Sequence, residues 1–422
     1  MRVNRPSLLR TGAIGASFDG TLMNSLHSDQ YKTKALSIMG IRGIPARHGG
    51  FETFVERLAP YLVAAGWVVT VYCQEDEKSP LRETTWNGIR RIHIGVGPDT
   101  ALNSIRFDWA CITHALREKP PLVLTLGYNT AAFGLRLRAA GIPNVMNMDG
   151  IEWSRDKWGR LARVWLYLND WAGCLGATHL IADHPEIARH LASRVSARKI
   201  STIPYGTTEI VHDSAAPLEP YGLTPGRFAT LIARPEPENS ILEIVQAFSS
   251  RKRGIELVVL GNFTPEHVAY HARVVNAASD EVRFLGAIYE PPTVQALRRH
   301  SILYLHGHRV GGTNPSLLEA MGAGNPVLAH DNRFNRWVVG EGAEYFDSAR
   351  TCSDALDRLL DDHATRVRMG KASMERAFNT FGWVDVLHAY TTLLTDVHSW
   401  VHGRPSWPRE RVPQSYEREA HR

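Results

Sequence analysis

The sequence predicts an α/β protein of two doubly wound, Rossmann-like domains that face each other across a cleft. Three observations predict it. Short apolar, β-branched runs alternate with helical stretches, a rhythm that builds parallel sheets covered by helices on both faces. A segment from Val211 to Pro225, carrying three prolines and Gly222, breaks the rhythm near the middle as a linker does. The chain has 422 residues, more than one hydrophobic core usually serves.

The strand-like runs of the first half are 35–39, 68–73, 91–96, 122–126, 144–148, 179–182 and 200–204. Those of the second half are 228–233, 256–261, 282–285, 302–305, 326–329 and 344–346. After Phe346 the pattern turns helical over 352–361, 364–379 and 383–399. The expected organisation is a disordered extension over 1–33, a first domain over 34–215 and a second over 216–380. A terminal helix over 381–400 and a polar, Pro- and Arg-rich tail over 401–422 complete it.

Apolar content of 44% and charged content of 22% describe a soluble globular protein. The excess of 48 basic over 43 acidic residues is too small and scattered to predict nucleic-acid binding. It would tolerate phosphate ligands or an anionic membrane surface. Cys73, Cys111, Cys174 and Cys352 form no C-x-x-C pair and read as reduced, mostly buried thiols of a cytosolic protein. No apolar run is long enough to cross a bilayer, and no apolar core follows Arg2, Arg5 and Arg10 as a secretory signal would require.

Ligands of doubly wound sheets sit at the carboxyl ends of the strands, so the chemistry is sought in the loops there. The most informative stretch is V-G-G-T-N-P-S-L-L-E-A-M-G-A-G-N-P-V at 310–327, between two strand-like runs. Its glycines and Asn314-Pro315 make an irregular turn, Ser316 is placed to cap a short helix, and Glu319 follows on that helix. This arrangement aims backbone N–H groups and one carboxylate into a crevice, although an ordinary α/β loop with a surface Glu fits equally. After the first strand, Gly49 and Gly50 precede an amphipathic helix over 51–65. Glycine lets a ligand approach the backbone there and the helix N-terminus favours anions; helix–strand packing alone is the alternative. Arg234, after the strand that opens the second domain, is a donor for a diphosphate, unless Glu236 or Glu238 pairs with it on the surface. Asp149 and Glu152, after an inner strand, are candidates to orient or deprotonate an acceptor hydroxyl, and Trp153 offers a flat face for a sugar; a plain Asp-Gly turn is the alternative.

No D-x-D triplet occurs, and the H-x-x-x-H pairs at 267–271 and 398–402 lack the carboxylate of an H-E-x-x-H motif, so no metal site is predicted. His306 and His308 alternate at a strand end and are expected on opposite faces. No G-x-S-x-G elbow supports a serine hydrolase.

In order, G-G-F-E at 49–52, I-P-Y-G at 203–206, A-R-P-E-P-E-N at 233–239, F-L-G-A-I-Y at 284–289 and the P-S-L-L-E-A-M-G-A-G-N-P-V block resemble a GT-B glycosyltransferase of the retaining family 4 type. The similarity covers roughly 34–399. The I-R-G-I-P-A-x-x-G-G-F-E opening and the H-G-H-x-V-G-G-T-N-P-S-L-L-E block are similar to a rhamnosyltransferase-like bacterial branch that builds surface polysaccharides. The resemblance implies an acceptor-side first domain and a second domain that binds a nucleoside diphosphate sugar, with no metal or other cofactor. It places Gly49 and Gly50 by the donor diphosphate, Arg234 on the phosphates, Glu319 on the ribose, Leu285, Gly286 and Ala287 at the base, and Asp149 beside the acceptor. It also implies a terminal helix crossing back to the first domain. Two departures stand out: Gly311 occupies the place of the family's first motif glutamate, and Asn239 that of its lysine. Amides of Gly312, Thr313 and Asn314 are candidates to replace the missing carboxylate.

The expected reaction is metal-independent transfer of a sugar, rhamnose among the candidates, to a saccharide or polyprenyl-linked saccharide with retention of configuration. The alternatives are a non-hydrolysing nucleotide-sugar epimerase and a non-catalytic binding or scaffold protein of the same fold. The location expected is the cytoplasm, with peripheral membrane contact at the inner face through Trp153, Trp158, Trp165 and Trp171 and the basic residues Arg155, Lys157, Arg160 and Arg163; a core helix with a solvated face explains the same residues.

Overall fold

Two parallel sheets form where the strand-like runs fall. The structure, a computed structural model, describes residues 33–46, 49–210 and 213–403. The extension expected over 1–33 and the tail expected over 401–422 lie outside these residues but for their innermost positions.

The first sheet contains β1 (Ala35–Met39), β2 (Val68–Glu75), β3 (Arg82–Trp86), β4 (Ile89–Gly95), β5 (Val123–Leu126), β6 (Asn144–Asn147), β7 (His179–Ala182) and β8 (Ile200–Thr202). The second contains β9 (Phe228–Ile232), β10 (Glu256–Leu260), β11 (Val282–Gly286), β12 (Tyr304–His306), β13 (Val327–His330) and β14 (Ala343–Phe346). Helices cover both: α1 (Gly50–Ala64), α2 (Ala101–Glu118), α3 (Ala131–Ala139), α4 (Arg160–Gly176) and α5 (Pro185–Ala192) on the first. On the second lie α6 (Ile241–Ser249), α7 (Ala269–Asn276), α8 (Pro291–Arg299), α9 (Pro315–Gly322), α10 (Arg333–Val339), α11 (Ala349–Asp361) and α12 (His363–Phe381). The last helix, α13, spans Trp383–Val401.

Strand order decides where a ligand can sit. The sheets run β3-β4-β2-β1-β5-β6-β7-β8 and β11-β10-β9-β12-β13-β14. Each chain of parallel crossovers starts in the middle, moves to one edge, then returns past its start to the other. That leaves a crevice between β1 and β5 and another between β9 and β12, where successive loops part in opposite directions. Only β3 runs antiparallel, as a polar edge hairpin with β4. Its sequence, R-E-T-T-W, has no apolar run, so hydropathy alone misses it. The Asn87-Gly88 turn, with φ of 48° and 78°, is the signal that finds it.

The supposed linker is shorter than Val211–Pro225. A 3-10 turn at Ala216–Tyr221 buries Leu218 against Phe228 and Leu297, so the second domain's packing begins there. At the other end, α12 packs Ala377 and Phe381 on the second domain, and α13 then departs from it. Trp383, Val386, Tyr390 and Leu394 join Phe54 and Leu58 in the core of the first domain. The rings of Phe54 and Tyr390 lie 4.5 Å apart.

Candidate active site

The carboxyl ends of the two sheets meet around a cavity of about 210 Å³. Gly50, Asn147, Asp149, Arg155 and Asp183 line it from the first domain. Arg234, Glu238, His308 and the run Gly311–Asn314 line it from the second, and α13 adds Tyr390.

The second-domain wall is built by the loops after β9 and β12, the two strands that flank the crevice. Arg234 follows β9 by two residues and turns into the cavity; among the described residues it has no ion pair with Glu236 or Glu238. Asn239, standing where a lysine was expected, is buried, and its Nδ2 donates to the Arg234 carbonyl at 2.8 Å. It braces the arginine loop without adding charge. Beyond β12, Gly311 takes φ 130° and Asn314 caps α9, its Oδ1 accepting from the Ser316 N–H at 3.0 Å. Ser316, the expected cap, instead bonds the Tyr304 hydroxyl at 2.7 Å. Pro315 explains the change: it fits the first helical position and pushes the preceding Asn314 into extended backbone, the cap conformation.

The first-domain wall carries carboxyl groups. Asp149, two residues after β6, adopts φ 51°, a region aspartate visits more readily than most residues, and its N–H donates to Asn147 Oδ1 at 2.8 Å. The Asn147 amide donates in turn to the Tyr390 hydroxyl at 2.7 Å, which ties this loop to α13. Burial, then the neighbouring Glu152, pushes the Asp149 carboxyl above its usual range, while Arg155 and Arg234 oppose the shift.

Asp183, directly after β7, joins the two walls. Its Oδ2 accepts from the Thr313 N–H at 2.9 Å. The Thr313 hydroxyl donates to the Asp183 carbonyl at 3.2 Å and accepts from the Tyr205 N–H at 2.8 Å. A β-carbon at Gly312 would overlap the Asp183 carboxyl group, so glycine is required for this approach. Burial, then Asp149, pushes Asp183 up to about 8, so it is largely neutral near pH 7.

Arg155 supplies the cation that Asn239 lacks. Its guanidinium pairs with Glu152 at 2.6 Å and, across the cleft, with Glu238 at 3.2 Å. His308 lies in the field of Arg155 and Arg234; burial first, then these two charges, lowers it to about 3 and keeps it neutral. Its ring stacks on His306 with centroids 4.4 Å apart, correcting the expectation of opposite faces. Side chains two residues apart along an extended chain point to one face, so the stacked pair follows the ordinary alternation of a strand end.

Of the residues expected at the site, Gly50, Asp149, Arg234, Gly312, Thr313 and Asn314 line the cavity, and the others do not. Gly49 is the extended cap of α1. Glu152 is buried against Arg155. Trp153 donates its indole N–H to Asp170 at 2.8 Å and packs edge-on to Tyr167, so it offers no open face to the cavity. Leu285, Gly286 and Ala287 sit at the end of the edge strand β11. Glu319 is half exposed on α9 and pairs with Arg298 at 2.6 Å. Arg155, Asp183, His308 and Tyr390 were not expected to line it. Asp183 carried a signal, a carboxylate at a strand's carboxyl end, as did His308, one of two histidines at a strand end. Among the described residues no group of three metal-ligating side chains gathers.

Residues 224–376 match the family model described as glycosyl transferases group 1, and residues 33–208 match that of a domain of unknown function, DUF1972. Sucrose-phosphate synthase from Thermosynechococcus elongatus has a similar structure: TM-score 0.75 at 19% identity, covering 87% of this chain and 100% of that one. HepE of Anabaena, solved in complex with UDP and glucose, gives 0.66 at 14% identity over 86% and 99% of the two chains. A UDP-forming trehalose-phosphate synthase from Burkholderia xenovorans gives 0.65 at 13% over 86% and 99%. No curated protein matches the sequence. At these identities the structural likeness shows the fold, and the fold is GT-B.

Proposed function

We infer that this chain, a GT-B glycosyltransferase whose second domain is of the group 1 type, moves a sugar from a nucleoside diphosphate to an acceptor hydroxyl with retention of configuration. One observation carries the reading: Arg234 and the amide run Gly311–Asn314 face Asp149 across a single interdomain cavity. The cation and the amides of Gly311, Gly312 and Asn314, beside the Thr313 amide that Asp183 holds, disperse the charge that develops on the departing diphosphate. Arg155, held between Glu152 and Glu238, adds a second positive charge at the same place. Asp149 orients the acceptor hydroxyl, and the leaving diphosphate takes its proton on the face it vacates. The shared walls exclude water and so limit hydrolysis.

A cavity of about 210 Å³ is smaller than usual ligand pockets, so it suits the sugar and diphosphate rather than the whole donor. The base then lies beyond it, over Leu285, Gly286 and Ala287, with the ribose toward Glu319. UDP is the nucleotide to test first, since HepE binds it. Rhamnose is the sugar, and surface polysaccharide synthesis the setting, to which the sequence resemblance points.

The test is a panel of nucleotide sugars, first in thermal-shift assays and then with saccharide acceptors, reading nucleotide release. A stabilising donor whose nucleotide is released only with acceptor supports the reading. Conversion of the sugar without acceptor would make the chain an epimerase. Binding without turnover over the whole panel would make it a binding protein.

A further inference from the structure

Helix α4 is apolar on its outer face as well as its inner one. Its buried face holds Leu166, Ala172 and Cys174 with the polar Asn169 and Asp170, while every exposed position after Arg160 is apolar or aromatic. Leu161 is 89% exposed, Val164 and Leu168 58% and Leu175 57%, with Trp165 and Trp171 beside them. The buried polar residues are satisfied: the Asn169 side chain accepts from the Ala132 N–H, and Asp170 holds Trp153, His190 and Arg194. Arg194 lies over the Tyr167 and Trp171 rings and the Trp165 indole donates to the Asn129 carbonyl at 2.8 Å, while Leu161, Val164, Leu168 and Leu175 lie open. Water contact over a row of leucines is unfavourable, and a surface this apolar marks an interaction site.

The rim indicates the partner. Arg160 and Arg163 stand at the start of the helix and exposed Arg138 at its end, where it donates to the Leu175 carbonyl at 2.6 Å. Asp156, paired with Arg163, is the acidic group next to the helix start. Leucines along one face, tryptophans at its margin and arginines at both ends are the composition of a helix lying in a bilayer interface. The helix has 17 residues, about 25 Å of length to lay on a surface. No helix among the described residues is long and apolar enough to cross a membrane.

We propose that α4 docks this protein on an anionic lipid surface and thereby sets the cleft beside a membrane-anchored acceptor. The loop entering α4 carries Arg155, which lines the cavity, so the docked helix and the site are a few residues apart. The acceptor part of the proposal rests on the transfer reading above. Sequence alone also named Trp153, Trp158 and Arg155 for membrane contact; these turn inward, onto Asp170, Glu152 and the cleft.

Flotation of the full chain with vesicles tests it. The protein should float with phosphatidylcholine–phosphatidylglycerol vesicles and remain at the bottom with phosphatidylcholine alone. The combined change Leu161→Gln, Val164→Gln, Leu168→Gln should lower the floated fraction about tenfold or more, and Arg138→Glu with Arg160→Glu should also lower it. Melting temperature and the thermal shift produced by UDP should stay as in the parent. A parent that does not float, or a triple variant that floats as well as the parent, overturns the proposal. So does light scattering that finds a dimer abolished by the triple variant in a protein that ignores lipid. Absence of any UDP shift in a protein that floats would sink the transfer reading and leave the docking standing.

Discussion

The wall from the first sheet presents Asp149 and Asp183, whereas the wall from the second presents Arg234, neutral His308, the Gly311–Asn314 run and a single ion-paired carboxylate, Glu238, beside the partly exposed Glu236. Both walls are loops at the carboxyl ends of parallel strands, so the fold does not account for the difference. It teaches that the two halves share out the reaction: one disperses negative charge on a leaving group, the other handles a hydroxyl and its proton. Arg155 breaks the pattern as a first-domain cation, yet it reaches across to Glu238. The walls are therefore electrostatically joined as well as opposed.

The sharpest way to break the comparison is Arg234→Ala. If the second wall carries leaving-group stabilisation, kcat should fall about 10²- to 10³-fold with melting temperature unchanged. Arg234→Lys should recover only part, since one ammonium does not replace a forked donor. Full activity in Arg234→Ala would end the assignment.

Next comes the seam between the walls. Gly312→Ala places a methyl group where the Asp183 carboxyl lies, so the donor loop must shift or the walls must part. A misplacement of about 1 Å at a reacting centre costs on the order of 10²-fold, and the loss should appear in kcat/KM. Gly141→Ala, at a left-handed turn with open space around it, is the control: the strained turn lowers stability, but turnover should be unaffected.

The cation from the first wall ranks third. Arg155→Gln keeps length and some hydrogen bonding but leaves Glu152 and Glu238, both buried, without their partner. Activity should fall about 10-fold through weaker electrostatic stabilisation. Pairing the change with Glu238→Gln should restore part of the stability, Glu152 still lacking its partner, without restoring rate, which separates the structural part of the effect from the chemical one.

These ranks show what was legible beforehand. Alternating apolar runs revealed both sheets because parallel strands are buried on both faces, and β3 escaped because a polar edge strand is not. Arg234, Asp149 and Gly50 could be placed because each follows a strand and precedes a turn. Arg155 and Tyr390 could not: one approaches from a 3-10 turn and the other from a helix far along the chain, and only tertiary packing brings them to the cavity. Trp153 looked like a sugar platform because composition does not report which way an indole points. Glu319 likewise carried a family role, while its ion pair with Arg298 depends on the packing of α8 against α9.

The smallest expected effect tests whether the first wall holds a proton. With Asp183 raised to about 8, the folded chain keeps a proton that the unfolded chain, with an aspartate near about 4, has already released. Between those values the native state binds more protons, so stability is fully present at the acid end and falls as pH rises toward 8, then levels off. Asp149 is shifted in the same direction and faces the same space, as does the Tyr390 hydroxyl, so the trend belongs to the pair of carboxyl groups. Asp183→Asn mimics the neutral group and can still accept from the Thr313 N–H. Its melting temperature should therefore match the parent near pH 5 and exceed it near pH 8, each difference of about 1 kcal/mol being worth roughly 1 °C in a chain of 422 residues. Parallel curves for the two proteins from pH 5 to 8 would mean that Asp183 is ionised throughout, and the bond to Thr313 would then be that of a buried carboxylate.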